Sequence, residues 1–191
     1  MKKILFVFAI LAFFGTLTGC ENLAGSEDLD LNPVNPPPQS QSPVAFSAKY
    51  VHTQQSEQYV PGTWTDNIEY PAVTVISTRP ELQQYSDDYS GMYDFDRHTH
   101  SPTGFLDAIE NYKEAFFQDS FLVLVLLQET SGSYRHRVDG ISESGEISIT
   151  RLMPAGAVTS DMAQWHIIIE LNNGDKMDEY DVVFIDGWLE L

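Results

Sequence analysis

The chain has 191 residues, of which 10 are Lys or Arg and 28 are Asp or Glu, so its formal net charge is −18 at pH 7. A field of that sign repels phosphate backbones, and we therefore expect no nucleic acid partner. The single cysteine excludes a disulfide within the chain, while 42% hydrophobic residues suffice for one ordinary core.

The first residues have the layout of an export signal. Lys2 and Lys3 precede an apolar run that starts at Ile4 and is too short to span a bilayer comfortably. The next segment, Leu17-Thr18-Gly19-Cys20, resembles the lipobox of bacterial lipoproteins, in which the cysteine is diacylated and becomes the mature N-terminus. We expect a signal peptide over residues 1–19 and a lipid-anchored Cys20 at the extracytoplasmic face of the cell membrane, since two acyl chains hold stably. An uncleaved N-terminal anchor is the alternative.

Residues 20–43 have the composition of a disordered tether. They contain five prolines, no Lys or Arg and no aromatic residue, so they bury too little apolar surface to offset the entropy of ordering. A single globular domain is then expected over residues 44–191.

The first part of this domain predicts mixed structure. Alternating apolar residues predict a strand over 44–52, and the β-branched run at 72–76 predicts a second one. Ser77 or Thr78 is expected to cap a short helix with Pro80 in its first turn. A second helix is expected from Ser101 onward, with apolar residues at helical spacing: Phe105, Leu106, Ile109, Tyr112 and Phe116.

The second part predicts strands separated by tight turns. Residues 121–127 are apolar on both faces, which is typical of a central strand that is covered on both sides. Further strands are expected over 134–141, 147–152, 165–171 and 182–185. The predicted fold class is α+β, mainly antiparallel β (a meander or a sandwich), with one or two helices inserted before the central strand.

Carboxylates and imidazoles alternate along the segment 94–100. On an extended chain Asp94, Asp96, His98 and His100 would share one face, and these side chains are ligands that Zn²⁺ accepts. This is the metal candidate of the sequence, with a solvated polar loop as its alternative. No cofactor is predicted.

A second set of residues has the types needed for nucleophilic catalysis or for ligand binding. Ser131, Ser133, His136, Asp161 and His166 match the nucleophile, base and acid types of a hydrolase. The serines lie at a turn between predicted strands, whereas a nucleophile elbow joins a strand to a helix.

Three cations lie on the two predicted strands that follow this turn. Arg135, Arg137 and Arg151 suit an anion or a peptide carboxylate, or else local pairing with Asp139 or nearby glutamates. The candidate ligand-binding residues are Ser131, Gly132, Ser133, Arg135, His136 and His166. Numerous tyrosines, among them Tyr59 and Tyr85, suit either a contact surface or half-buried packing.

From Tyr112 to about Ile185 the chain resembles a family of small bacterial lipoproteins. The resemblance lies in Tyr112 to Phe117 before the central strand, in Glu129 to Ser133, and in Asp161 to His166. More distantly, the chain is similar to the C-terminal domain of a protease-complex accessory subunit, with Ser131-Gly132-Ser133-Tyr134 at the place of a Thr-Gly-Gly-Tyr-like turn. The resemblance implies a non-enzymatic β domain that contacts an envelope protein or a peptidase.

The sequence therefore favours a membrane-anchored, non-enzymatic binding or accessory domain. An envelope hydrolase, using the Ser/His set or a metal at Asp94 to His100, is the alternative.

Overall fold

A computed structural model of the protein describes residues 44–57, 68–97 and 100–189. The predicted signal peptide, Cys20 and the tether lie outside these residues. The described strands are β1 (Phe46–Gln55), β2 (Ala72–Ile76), β3 (Tyr93–Asp94), β4 (Ser120–Glu129), β5 (Arg135–Ile141), β6 (Glu146–Met153), β7 (Ala163–Asn172) and β8 (Asp181–Trp188). The helices are α1 (Arg79–Tyr89) and α2 (Phe105–Ile109), and single 3-10 turns lie at Phe116–Gln118 and Asn173–Asp175. No helix in the described ranges combines the length and apolar character that crossing a membrane requires.

The strands form two sheets. The five-stranded sheet has the order β2-β4-β7-β1-β3 with antiparallel neighbours throughout, and the three-stranded sheet has the order β5-β6-β8. In the smaller sheet β5 and β6 are antiparallel, whereas β6 and β8 run parallel. The predicted α+β class, mainly antiparallel and with helices before the central strand, is confirmed.

The central strand is β4, and its two faces serve two separate cores. Phe121, Val123, Val125 and Leu127 point into a core shared with the three-stranded sheet. The alternate residues Leu122, Leu124 and Leu126 point into a second core under the helices. This double coverage explains why the strand reads as a continuous apolar run.

Helix α1 begins and packs as its sequence predicts. The hydroxyl of Thr78 accepts a hydrogen bond from the backbone N–H of Glu81 at 3.3 Å, and the Glu81 carboxylate accepts one from the N–H of Ser77 at 2.7 Å. These bonds satisfy the N–H of Glu81 in the first helical turn and the N–H of Ser77 just before the cap. Leu82 and Tyr85 are buried on the inner face.

The second predicted helix is much shorter than its apolar spacing suggests. Helix α2 ends at Ile109, and Leu106, expected on the inner face, is exposed. The Arg79 guanidinium donates hydrogen bonds to the carbonyls of Ile109 and Tyr112, both at 3.3 Å, so carbonyls at the helix end are satisfied without further helix. The later apolar residues Tyr112 and Phe116 lie beyond α2 and pack against the core under the helices.

The strands are connected as a sandwich rather than as a meander, the other arrangement that the turns allow. The turn after β4 carries the chain into the smaller sheet, and β7 returns to the larger one between β4 and β1. The chain then crosses back, so that β8 lies parallel to β6, with Ile147 beside Val182 and Ile149 beside Phe184. Buried residues of both sheets form the shared core.

Candidate functional site

The turn between β4 and β5 lies at one end of the sandwich and organises a polar cluster. The hydroxyl of Ser131, which is buried, lies 2.9 Å from the hydroxyl of Thr159 and accepts a hydrogen bond from the N–H of Ser133 at 3.1 Å. The Ser133 hydroxyl lies 3.0 Å from the same Thr159 oxygen. Both candidate nucleophiles are therefore engaged in fixing the turn to the loop that precedes β7.

Gly132 is the point on which two titratable side chains converge. Its N–H donates to the Asp161 carboxylate at 3.4 Å. A Cβ at this position would lie 2.9 Å from the Asp161 Oδ2 and 2.9 Å from the His100 Nε2, so a larger residue would displace both side chains. Hydrogen bonding from Thr159, followed by the Gly132 N–H and the nearby His100, lowers the pKa of Asp161.

An imidazole pair closes the cluster from the side of β1. The rings of His52 and His100 lie 4.8 Å apart between centroids, and His52 also lies edge-on to Trp165 at 5.2 Å. Burial, followed by the neighbouring His100 and Arg135, lowers the pKa of His52 to about 4. Burial, with Arg135 next in importance, also lowers the pKa of His100. Both imidazoles are thus held neutral at pH 7.

Arg135 lies between this cluster and the core. Its guanidinium donates hydrogen bonds to the carbonyls of Gly132 at 2.8 Å and Tyr134 at 2.9 Å, and lies 5.5 Å from the ring of Trp165. Its donors therefore hold the turn in place. Of the predicted ligand-binding residues, the structure brings together Ser131, Gly132, Ser133 and Arg135.

His136 is directed to a different group. Its Nε2 lies 2.8 Å from the carboxylate of Glu129, which also accepts a hydrogen bond from Arg151 Nε at 2.9 Å. Burial raises the pKa of Glu129, but the hydrogen bonds from His136 and Arg151 lower it by more, so the net pKa lies below its usual value. These three side chains tie the last residue of β4 to the smaller sheet, and Glu129 and His136 are buried.

His166 lies on the face of β7 opposite to that of Trp165, since successive residues of a strand point to alternate faces. Its Nδ1 lies 3.2 Å from the hydroxyl of Thr53, and its ring is fully buried among Tyr85, Tyr93, Phe95 and Phe105. Burial lowers its pKa to about 3. The predicted grouping of His166 with Ser131 is therefore wrong. For Tyr85 and Tyr93, which are buried, the packing interpretation holds; Tyr59 lies outside the described residues.

The structure separates those members of the predicted metal set that it describes. The Asp94 carboxylate accepts hydrogen bonds from the N–H groups of Asp96 and Arg97, at 3.2 and 3.1 Å, which closes a local turn. His100 instead packs against His52, and His98 lies outside the described residues. Within 44–57, 68–97 and 100–189, no three His, Cys, Asp or Glu side chains are placed to share an ion.

The predicted arginine cluster resolves into local contacts. Arg137 donates to Asp139 at 2.6 Å, which confirms the local pairing that its sequence neighbourhood suggests. Arg151 bonds Glu129 and lies 3.6 Å from Asp186. Sequence reasoning missed Glu129, His52 and Thr159. The alternation of Phe46, Ala48, Tyr50 and His52 on β1 was the available signal that His52 faces the smaller sheet.

A second surface feature is the strand β8, which forms one border of the smaller sheet. Large apolar side chains of this strand are exposed: Val183 at 41%, Ile185 at 50% and Trp188 at 68% of their surface. Their neighbours Val182 and Phe184 pack on the shared core. We refer to residues 181–188 along the side facing away from β6 as the β8 edge.

Comparisons of the chain with protein-family models, with curated proteins and with solved structures find no match.

Proposed function

We propose that the protein is a bacterial lipoprotein that presents a non-enzymatic binding or accessory domain at the extracytoplasmic face of the cell membrane. Acylated Cys20 anchors it in the bilayer, residues 20–43 act as the tether, and the domain from residue 44 onward meets an envelope protein, such as a peptidase. The resemblance to an accessory subunit of a protease complex is part of this proposal.

The observation that carries the binding role is the exposed β8 edge. Natural sheets blunt open edges with charges, prolines or covering loops, because an apolar edge associates with other chains. Here two exposed β-branched residues, Val183 and Ile185, lie in the middle of the strand, and Trp188 lies at its end. Exposed apolar residues that share one face of a strand, as Val183 and Ile185 do, are typical of a protein contact site.

The alternative of an envelope hydrolase has less support from the geometry. Ser131 and Ser133 bond Thr159, whereas His136 bonds Glu129 and His166 bonds Thr53. A nucleophile and its base are expected to bond each other. The turn cluster instead has the features of a rigid support, with the arginine and the serines bonded to the protein itself.

The anchor is tested by fractionating bacteria that produce the wild type, Cys20→Ala and the matched control Glu21→Gln. We expect the wild type and Glu21→Gln in the membrane fraction with a diacylated Cys20 detectable by mass spectrometry. Cys20→Ala is expected in the medium or as an unprocessed precursor. Normal processing and normal membrane retention of Cys20→Ala would refute the anchor.

A further inference from the structure

The β8 edge offers backbone hydrogen-bonding groups to another chain. One side of β8 pairs with β6 in eight consecutive rows, from Glu146 beside Asp181 to Met153 beside Trp188. In the described part of the chain, no strand lies along the other side. In a parallel pair, every second residue of an edge strand directs its N–H and C=O away from the sheet. A partner strand finds a ready template there.

The side chains of the edge supply apolar contacts at the spacing of a strand. Val182 and Phe184 face the core, so Val183 and Ile185 lie on the outer face of the sheet. Both are half-exposed, and they are the β-branched types that pair well across strands. An added strand with apolar residues at alternate positions would cover them.

The charge around the edge selects the partner. Asp178, Glu179, Asp181 and Asp186 are all exposed in or just before β8, and Asp186 lies 3.6 Å from Arg151. The whole chain carries a net charge of −18, so a second copy would be repelled. A partner strand with basic side chains is attracted, because complementary potentials raise the association rate and suppress wrong partners.

We propose that the β8 edge binds, by strand addition, an extended segment of a partner protein in which apolar and basic residues alternate. This inference rests on the binding role proposed above and names its surface and the chemistry of its partner. Main-chain hydrogen bonds provide affinity in this mode of recognition, and alternate side chains provide specificity.

The test uses the full mature lipoprotein in detergent micelles and a fluorescent ten-residue peptide of alternating Lys and Val. Matched peptides replace Lys by Glu, or carry N-methyl groups on alternate amides. Fluorescence anisotropy measures affinity, and hydrogen–deuterium exchange with mass spectrometry locates binding. We expect the Lys peptide to bind, to bind more weakly as salt rises, and to slow exchange within residues 181–188. The Glu peptide and the N-methylated peptide are expected to bind at least tenfold more weakly, roughly 1.4 kcal/mol or more.

Two double variants separate the edge from other exposed apolar residues. We expect Val183→Ser with Ile185→Ser to weaken binding of the Lys peptide about tenfold, because two covered aliphatic groups are lost. Val158→Ser with Met162→Ser, which removes exposed apolar side chains in the loop before β7, is expected to leave binding unchanged. Circular dichroism of both variants establishes that they are folded.

Three results would overturn the inference. The first is equal affinity for the Lys and Glu peptides, and the second is binding without slower exchange at 181–188. The third is concentration-dependent protection of those amides in the absence of peptide, which would indicate that a second copy of the chain occupies the edge. The proposed function fails independently, through the behaviour of Cys20→Ala or through an anchored protein that contacts no envelope protein at all. If a specific envelope partner binds the Val183→Ser, Ile185→Ser variant as well as it binds the wild type, the strand-addition inference is wrong but the proposed function stands.

Discussion

Removal of the Glu129 carboxylate is expected to destabilise the domain strongly. The Glu129 and His136 side chains are 4% and 0% exposed, and the carboxylate bonds His136 and Arg151 at 2.8 and 2.9 Å. Removing one partner of a buried ion pair typically costs 3–5 kcal/mol, because a polar group is left buried and unpaired. Arg151 is partly exposed and keeps Asp186, so we expect a value near the lower bound, about 3 kcal/mol, for Glu129→Ala.

Urea unfolding at pH 7, followed by circular dichroism, measures this loss. With an m value of about 2 kcal/mol per molar urea, the midpoint should fall by about 1.5 M. The matched control is Arg97→Ala, which breaks an exposed pair with Glu57 at 3.6 Å and should change stability by less than about 1 kcal/mol. The pKa of Glu129 in the folded protein lies below 4.5, its value in the unfolded chain. The stability that the Glu129 carboxylate contributes is therefore fully present above about pH 4.5 and is lost as the pH falls through the folded-state pKa. A midpoint for Glu129→Ala within error of Arg97→Ala would refute the reasoning.

Three further substitutions test other parts of the structure. His166 has a folded pKa of about 3, against 6.5 in the unfolded state, which therefore takes up a proton as the pH falls from 6.5 to 4.5. Over this interval the wild type should lose about 2.3 kcal/mol more stability than His166→Leu, and parallel urea-stability profiles would contradict this. Tyr112→Phe removes the hydrogen bond that the Tyr112 hydroxyl donates to Glu170 at 2.5 Å and should cost about 1.5–3 kcal/mol in urea unfolding, whereas an unchanged midpoint would show that the bond adds nothing. Gly132→Ala should displace the ends of the Asp161 and His100 side chains and so change the imidazole shifts in NMR, whereas unchanged shifts would contradict the close approach.

The elements that local physics determines were predictable from the sequence. The double apolar character of β4 identified the central strand, because a strand covered on both faces needs apolar residues at every position. The start of α1 followed from Thr78, Pro80 and the inward Leu82, since caps and periodicity act over one or two turns. Such signals lie within a few residues of the element that they specify.

The choice of partner strands and the composition of the site were not predictable in the same way. Whether β8 pairs with β7 or with β6 depends on the crossing between sheets, which no single turn specifies. The cluster at Gly132 joins His52, His100 and Asp161, which are far apart in sequence and come together only through long-range contacts such as the pairing of β1 with β7. The alternation rule, applied to β7, would have separated Trp165 from His166.

The most direct test of the proposed binding role is site-specific photo-crosslinking in living cells. The full lipoprotein carries a photoreactive residue at position 185 on the β8 edge or, as a matched control, at position 162, where Met162 is also exposed. We predict a specific crosslink from position 185 to an extended, basic segment of another envelope protein, and none from position 162. Equal products from both positions, or no product from position 185, would contradict a binding domain that acts through this edge.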